Sequence, residues 1–190
     1  MRSSAALSVQ TDNWIMRSLI VWAAMVAGLA ACNPTFNWRE VPVAATGLVA
    51  LLPCKPDQGS RVVPLGGQPV ALHMMGCDTG GATFAVAHAE IADAAQAAAV
   101  LAQWKTATLA NMHAASSQDA PFMPRGGAVM PESVRTVASG RRADGRAVTA
   151  QAVWFGRPRG AGAQLFHAVV YADKPSPELA VTFFSGLQFQ

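Results

Sequence analysis

Glycine-centred turns between short apolar segments constrain this chain more than any other feature. Gly66-Gly67, Gly80-Gly81 and Asp144-Gly145 each stand between two such segments. Glycine reaches positive φ without a steric penalty, so these pairs suit the tight turns that reverse a strand. Residues 61–65 and 70–77 flank the first pair, and residues 133–139 and 146–155 flank the third. Around the second, residues 78–81 read as the turn, after which Phe84, Val86 and His88 alternate with alanines as a strand would. A four-residue turn sets Cys77 opposite Ala82 and His73 opposite Val86, with His88 a diagonal neighbour of His73. Residues 48–52 add an apolar strand ended by Pro53-Cys54-Lys55-Pro56, and residues 164–172 add another. Parallel pairing needs crossovers of a dozen or more residues, so a mostly antiparallel sheet is expected.

Two helices are expected on that sheet. Asp93 with Gln96 has the spacing of a capping box, and the helix it opens runs to about residue 114. Leu101, Trp104 and Thr108 mark its buried side. Ser176-Pro177-Glu178 supplies an N-cap, a proline at the first helical position and an acid in the first turn. That helix ends near Gly186, and residues 187–189 are placed to return to the sheet. Residues 115–132, with Pro121, Pro124, Pro131 and Gly126-Gly127, read as a long loop and a candidate contact surface. The pattern predicts one α+β domain over residues 47–190.

Four segments resemble the PsbP-like (DcrB-like) α-β-α sandwich. They are Leu51-Leu52-Pro53-Cys54-Lys55-Pro56, the Gly145-Arg146 strand ending in Trp154-Phe155, the strand over residues 164–171, and Phe183-Phe184-Ser185-Gly186-Leu187-Gln188-Phe189. The resemblance covers residues 46–190 in order of elements, with Leu51 and Gly186 where the family commonly has aromatics or serine. It implies a sheet with helices packed on it. The family includes periplasmic lipoproteins and photosystem accessory subunits, mostly without enzymatic activity, and offers no catalytic residues to carry over.

The N-terminus has a different character. Arg17 precedes an uncharged apolar run over residues 19–31, ending in small residues before Cys32. This is the layout of a secretory signal, and at 13 residues the run is shorter than the roughly 20 of a membrane-spanning helix. Leu29-Ala30-Ala31-Cys32 resembles the lipobox of bacterial lipoproteins. The resemblance implies a diacylglyceryl thioether on Cys32, cleavage before it, and anchoring to membrane lipid; an ordinary signal and an uncleaved anchor are the alternatives. Met16-Arg17-Ser18 would make a more conventional start than residues 1–15, which include Asp12. Residues 1–31 are thus expected to be a signal peptide, and residues 32–46 the lipidated cysteine and a tether. Phe36 and Trp38 on that tether rest either at the membrane interface or against the domain. Asn33, in place of aspartate, leans towards the outer over the inner membrane, facing the periplasm.

Composition excludes some classes. Of 190 residues 52% are hydrophobic and 13% charged, with a net charge of +3, which suits neither a disordered tail nor a nucleic-acid binder. Arginines concentrate late, at 135, 141, 142, 146, 157 and 159, with Asp144 among them. Arg141, Arg142 and Arg146 form a candidate surface for anionic headgroups or an acidic envelope partner, against the alternative of solvated strand ends.

Cys54 and Cys77 end early strands and are expected to bridge after export to an oxidising compartment. Of His73, His88, His113 and His167, the first two are expected to neighbour each other as a sheet-face pair, lacking a third ligand for a metal. No G-x-S-x-G elbow, phosphate-binding glycine loop, C-x-x-C motif or usefully spaced acidic pair occurs. The reading is a non-catalytic binding or assembly module with no cofactor and no metal. A periplasmic enzyme whose site assembles from distant residues is the alternative.

Overall fold

A computed structural model describes residues 35–127, 130–174 and 176–190. The expected signal, the lipobox and Cys32 lie outside the described residues. Residues 35–190 form one compact unit. Its strands are β1 (Arg39–Val43), β2 (Leu48–Leu52), β3 (Asp57–Leu65), β4 (Gln68–Thr79), β5 (Ala82–Ile91), β6 (Ser116–Pro121), β7 (Val134–Arg141), β8 (Ala147–Arg159), β9 (Gly162–Ala172) and β10 (Gln188–Phe189). The helices are α1 (Ala97–Asn111) and α2 (Pro177–Ser185). Strands β3-β4-β5-β9-β8-β7-β6 make a seven-stranded sheet and β1-β2-β10 a three-stranded one. All the strand pairs are antiparallel. The class is α+β, as the turn pattern requires.

Alternation along β5 explains the layering. Phe84, Val86 and His88 point to one face, and Ala85, Ala87 and Ala89 to the other. The first face joins Phe155, Phe166 and Val170 in a core closed by β1, β2, β10 and by Phe183 and Phe184 of α2. The second face, with Trp154, Leu165 and Val169, is covered by Val100, Leu101 and Trp104 of α1. Helix α1 is preceded by a 3-10 turn, Ala94–Gln96, with Asp93 as cap: its carboxylate accepts from the backbone N–H of Ala95 at 2.9 Å. Gln96 donates to the Asp93 side chain at 3.0 Å, where a capping box would have it reach the backbone.

Four expectations are corrected. The turn after β4 is the pair Gly80-Gly81, both at positive φ, so Thr79 opposes Ala82. The register therefore moves by two: Cys77 opposes Phe84, and His73 directly opposes His88. A two-residue shift keeps every side chain on its face, which is why hydrophobic alternation could not reveal it. The long loop contains strand β6, whose six residues are all exposed. Its backbone pairs with β7, and its polar edge discourages further pairing. The tether contains β1, paired along its full length with β2, so the domain begins well before residue 47. Phe36 and Trp38 tuck against the core, Trp38 edge-on to Phe84 with ring centroids 5.9 Å apart. Finally, Ser176 makes no side-chain cap bond; instead its carbonyl accepts from Ala180 N–H and Gln151 Nε2.

Gly66 serves two purposes in the β3–β4 turn. Its φ of +62° favours glycine, and a Cβ there would lie 2.6 Å from Val100 Cγ2 of α1. The turn therefore fits tightly beneath the start of the helix, and Gly66 N–H donates to Gln103 Oε1.

Candidate ligand cavity

The alanine face of β5 has a consequence beyond packing. Small side chains on the sheet and on α1 leave a gap that larger residues would have closed. A cavity of about 630 Å³ lies between α1 and the sheet, within the usual range for small-molecule sites. Its floor includes Met74, Ala85, Ala87 and Val169, and its helical wall includes Trp104 and Ala107. It reaches solvent beside Arg61, Ala107 and Arg141, which are exposed.

The charged groups are confined to the ends, while Gln103, Thr108 and Asn111 add uncharged polar groups along the helix. Arg61 lies at the β3 end, on the strand face that also carries Val63 and Leu65. Arg141, the last residue of β7, and Arg142, in the turn that follows, lie at the opposite end with Tyr171 beside them. Burial pushes the Tyr171 phenol up, opposed by the nearby Arg142 charge. Arg142 pairs with Asp173 at 3.1 Å, and Arg141 donates to the Gly145 carbonyl at 3.0 Å. Arg61 makes no ion pair among the described residues. Asp173 and Asp78 stand outside the lining, engaged by Arg142 and by the Thr83 hydroxyl.

His167 forms part of the floor. It stacks on Trp154 with centroids 4.6 Å apart and meets Trp104 edge-on at 5.6 Å. Burial lowers its pKa to about 3, so it is a neutral aromatic wall at ordinary pH. Its Nε2 and Trp154 Nε1 are buried without a hydrogen-bond partner.

The residues singled out from sequence fall in several places. Cys54 and Cys77 meet with their sulfurs at bonding distance and Cα atoms 6.0 Å apart. This bridge ties the exit of β2 to β4, and so the small sheet to the large one. Arg141 and Arg142 border the cavity, while Arg146 turns into ion pairs with Asp144 at 2.7 Å and Asp173 at 3.8 Å. Arg157 is half-buried. Its guanidinium lies 4.2 Å from the Phe189 ring centroid, bonds Gln164 and reaches the Thr46 carbonyl. Segment 122–127 closes the small sheet's end: Arg125 exchanges backbone hydrogen bonds with Leu187 and Phe189.

His73 and His88 stack at 4.9 Å on the sheet's other face. Burial, then the neighbouring His73, lowers the His88 pKa, and neither His88 ring nitrogen has a partner. Among the described residues no cluster of three or more His, Cys, Asp or Glu could hold a metal ion, and no helix is long and apolar enough to cross a membrane. The cavity itself was not foreseen from sequence. Its trace there is the alanine at every second position of β5, facing a helix that is itself alanine-rich.

The fold and the cavity define an antiparallel α+β domain with a mainly apolar cavity between its long helix and its larger sheet. No protein-family model and no curated protein matches the sequence.

Proposed function

We propose that this chain is a lipid-anchored protein of the cell envelope. Its domain, a PsbP-like α-β-α sandwich, works by holding an apolar ligand rather than by transforming one. The cavity between α1 and the sheet carries this reading, because it combines ligand-sized volume, a mainly apolar lining and charged groups confined to its ends. The Cys54–Cys77 pairing supports export, since such bridges persist in oxidising compartments. The layered arrangement of helix, sheet and second helix supports the sandwich. The lipobox residues Leu29-Ala30-Ala31-Cys32 support the anchor.

Two measurements on protein extracted from its native membrane test the two halves. N-terminal mapping beside a Cys32→Ala variant is expected to find a chain that starts at acylated Cys32. An intact chain retaining residues 16–31 with free Cys32 would overturn the anchor. Native mass spectrometry is expected to find a small molecule retained by the wild type and lost from Ala107→Trp, which plugs the cavity from an exposed helix position. A wild type that retains nothing would overturn the binding half.

A further inference from the structure

We infer that the ligand is a single-chain anionic amphiphile, a long-chain carboxylate, lying in the trough with its head against Arg61. This rests on the binding reading above and specifies its ligand class. The shape comes first. Lining residues run from β3, across β4, β5 and β9, to the β7–β8 turn. Five strand spacings span roughly 24 Å. About 630 Å³ spread over such a length leaves a trough about one extended chain wide rather than a chamber for a globular ligand. The floor sets Ala85, Ala87 and the flexible Met74 beside Val169 and His167, and its small and adaptable side chains leave room for an extended chain.

Charge comes second. The lining holds three arginines and no carboxylate, and all three arginines lie at the ends. Between them the lining is uncharged and mainly apolar: Gln103 and Thr108 of the helix already bond Gly66 and the Trp104 carbonyl, and His167 is part of an aromatic wall. A ligand that matches this pattern has a long apolar body and an anionic terminus. The two ends differ. Arg141 and Arg142 already bond Gly145 and Asp173. Arg61 stands exposed on the Val63 and Leu65 face of the edge strand, and its guanidinium has no ion-pair partner among the described residues. A carboxylate can accept two parallel hydrogen bonds from that guanidinium.

The test incubates the full chain, in non-ionic detergent micelles, with palmitate or with hexadecanol, its neutral counterpart. Retention is read by native mass spectrometry. One palmitate per chain is expected, held at least tenfold more tightly than hexadecanol. Arg61→Ala is expected to bring the two to within about threefold of each other, whereas a merely structural role for Arg61 would weaken both alike. Ala107→Trp and Ala85→Phe, on opposite walls, are each expected to abolish retention; a fold check by circular dichroism accompanies both. Equal retention of palmitate and hexadecanol, an unchanged ratio in Arg61→Ala, or full palmitate retention in both folded plug variants would overturn the inference. A native-membrane sample that holds a neutral molecule lost from Ala107→Trp would overturn it too, while leaving the binding reading intact. A sample holding nothing at all would remove both.

Discussion

The two faces of the seven-stranded sheet are filled by different means. Towards the small sheet, β5, β8 and β9 present Phe84, Phe155, Phe166 and valines, and these rings interlock with Phe183 and Phe189. Towards α1 the same strands offer many alanines, with Trp154, Leu165 and Val169 as the larger side chains, and Trp104 comes from the helix itself. One face is closed by aromatic contact at 5–6 Å centroid spacing; the other keeps a cavity of about 630 Å³. The difference teaches that a sheet can separate its tasks. The aromatic face holds the fold together, and the opposite face, relieved of that duty, can leave room.

The largest expected effect tests the closed face. Phe166 is fully buried, with Phe155 and Phe189 at 4.9 and 5.5 Å. Phe166→Ala should destabilise by about 3–5 kcal/mol in urea unfolding. Trp104→Ala, on the face that already has a cavity, should fall below that range, because part of the Trp104 surface borders open space. Equal losses would break the asymmetry. Next comes the bridge that ties the two sheets together. Cys54 and Cys77 are 23 residues apart in sequence, and removing such a cross-link costs about 3 kcal/mol in the loop-entropy description. Unfolding with and without reductant should show that difference in wild type and none in Cys77→Ser.

Acid should probe both faces, since each buries one histidine. His88 and His167 both have lowered pKa values, mainly through burial, and that of His167 is about 3. The unfolded chain binds their protons more readily than the folded one. Stability is therefore complete above the ordinary histidine value of about 6.5 and falls as pH drops towards 3. His167 contributes at most about 1.4 kcal/mol per pH unit in that window, and His88 acts in the same direction. His167→Phe and His88→Phe should each flatten the acid limb of a stability–pH curve. A limb unchanged in His167→Phe would mean that its imidazole is not held neutral by the trough floor.

Much of this asymmetry was written in the chain, but at different depths. Antiparallel order followed from Gly66-Gly67 and Asp144-Gly145, because turn chemistry is local. The burial of Trp104 followed from helical spacing. Strand β6 did not, since Ser116, Ser117, Gln118 and Asp119 carry no apolar alternation and are held by backbone pairing and by Asp119 bonds to Thr136 and Lys105. The direct His73–His88 stack was missed by a two-residue shift of register, which alternation leaves open. The cavity was hardest to read. Alanine signals packing on a sheet as readily as it signals space, and only the path of α1, held at the β3–β4 turn through Gly66 and Gln103 and at β7 through the Arg141 N–H bond to the Met112 carbonyl, decides between the two.

The smallest expected effect is the sharpest test of that ambiguity. Ala85 and Ala168 lie one row apart on the neighbouring strands β5 and β9, where Ala85 opposes Val169 and Ala168 opposes Val86. Ala168 faces the aromatic core and is fully buried; Ala85 lines the trough. Leucine adds the same three carbons at each site. At Ala168 the extra volume has nowhere to go, and overpacking should cost about 1–3 kcal/mol. At Ala85 it enters open space, loses water contact with its neighbours and should change stability by no more than about 0.5 kcal/mol. Parallel thermal and urea unfolding of the two variants decides the matter. If Ala85→Leu is as damaging as Ala168→Leu, the trough is not available volume, and the division of labour between the two faces fails with it.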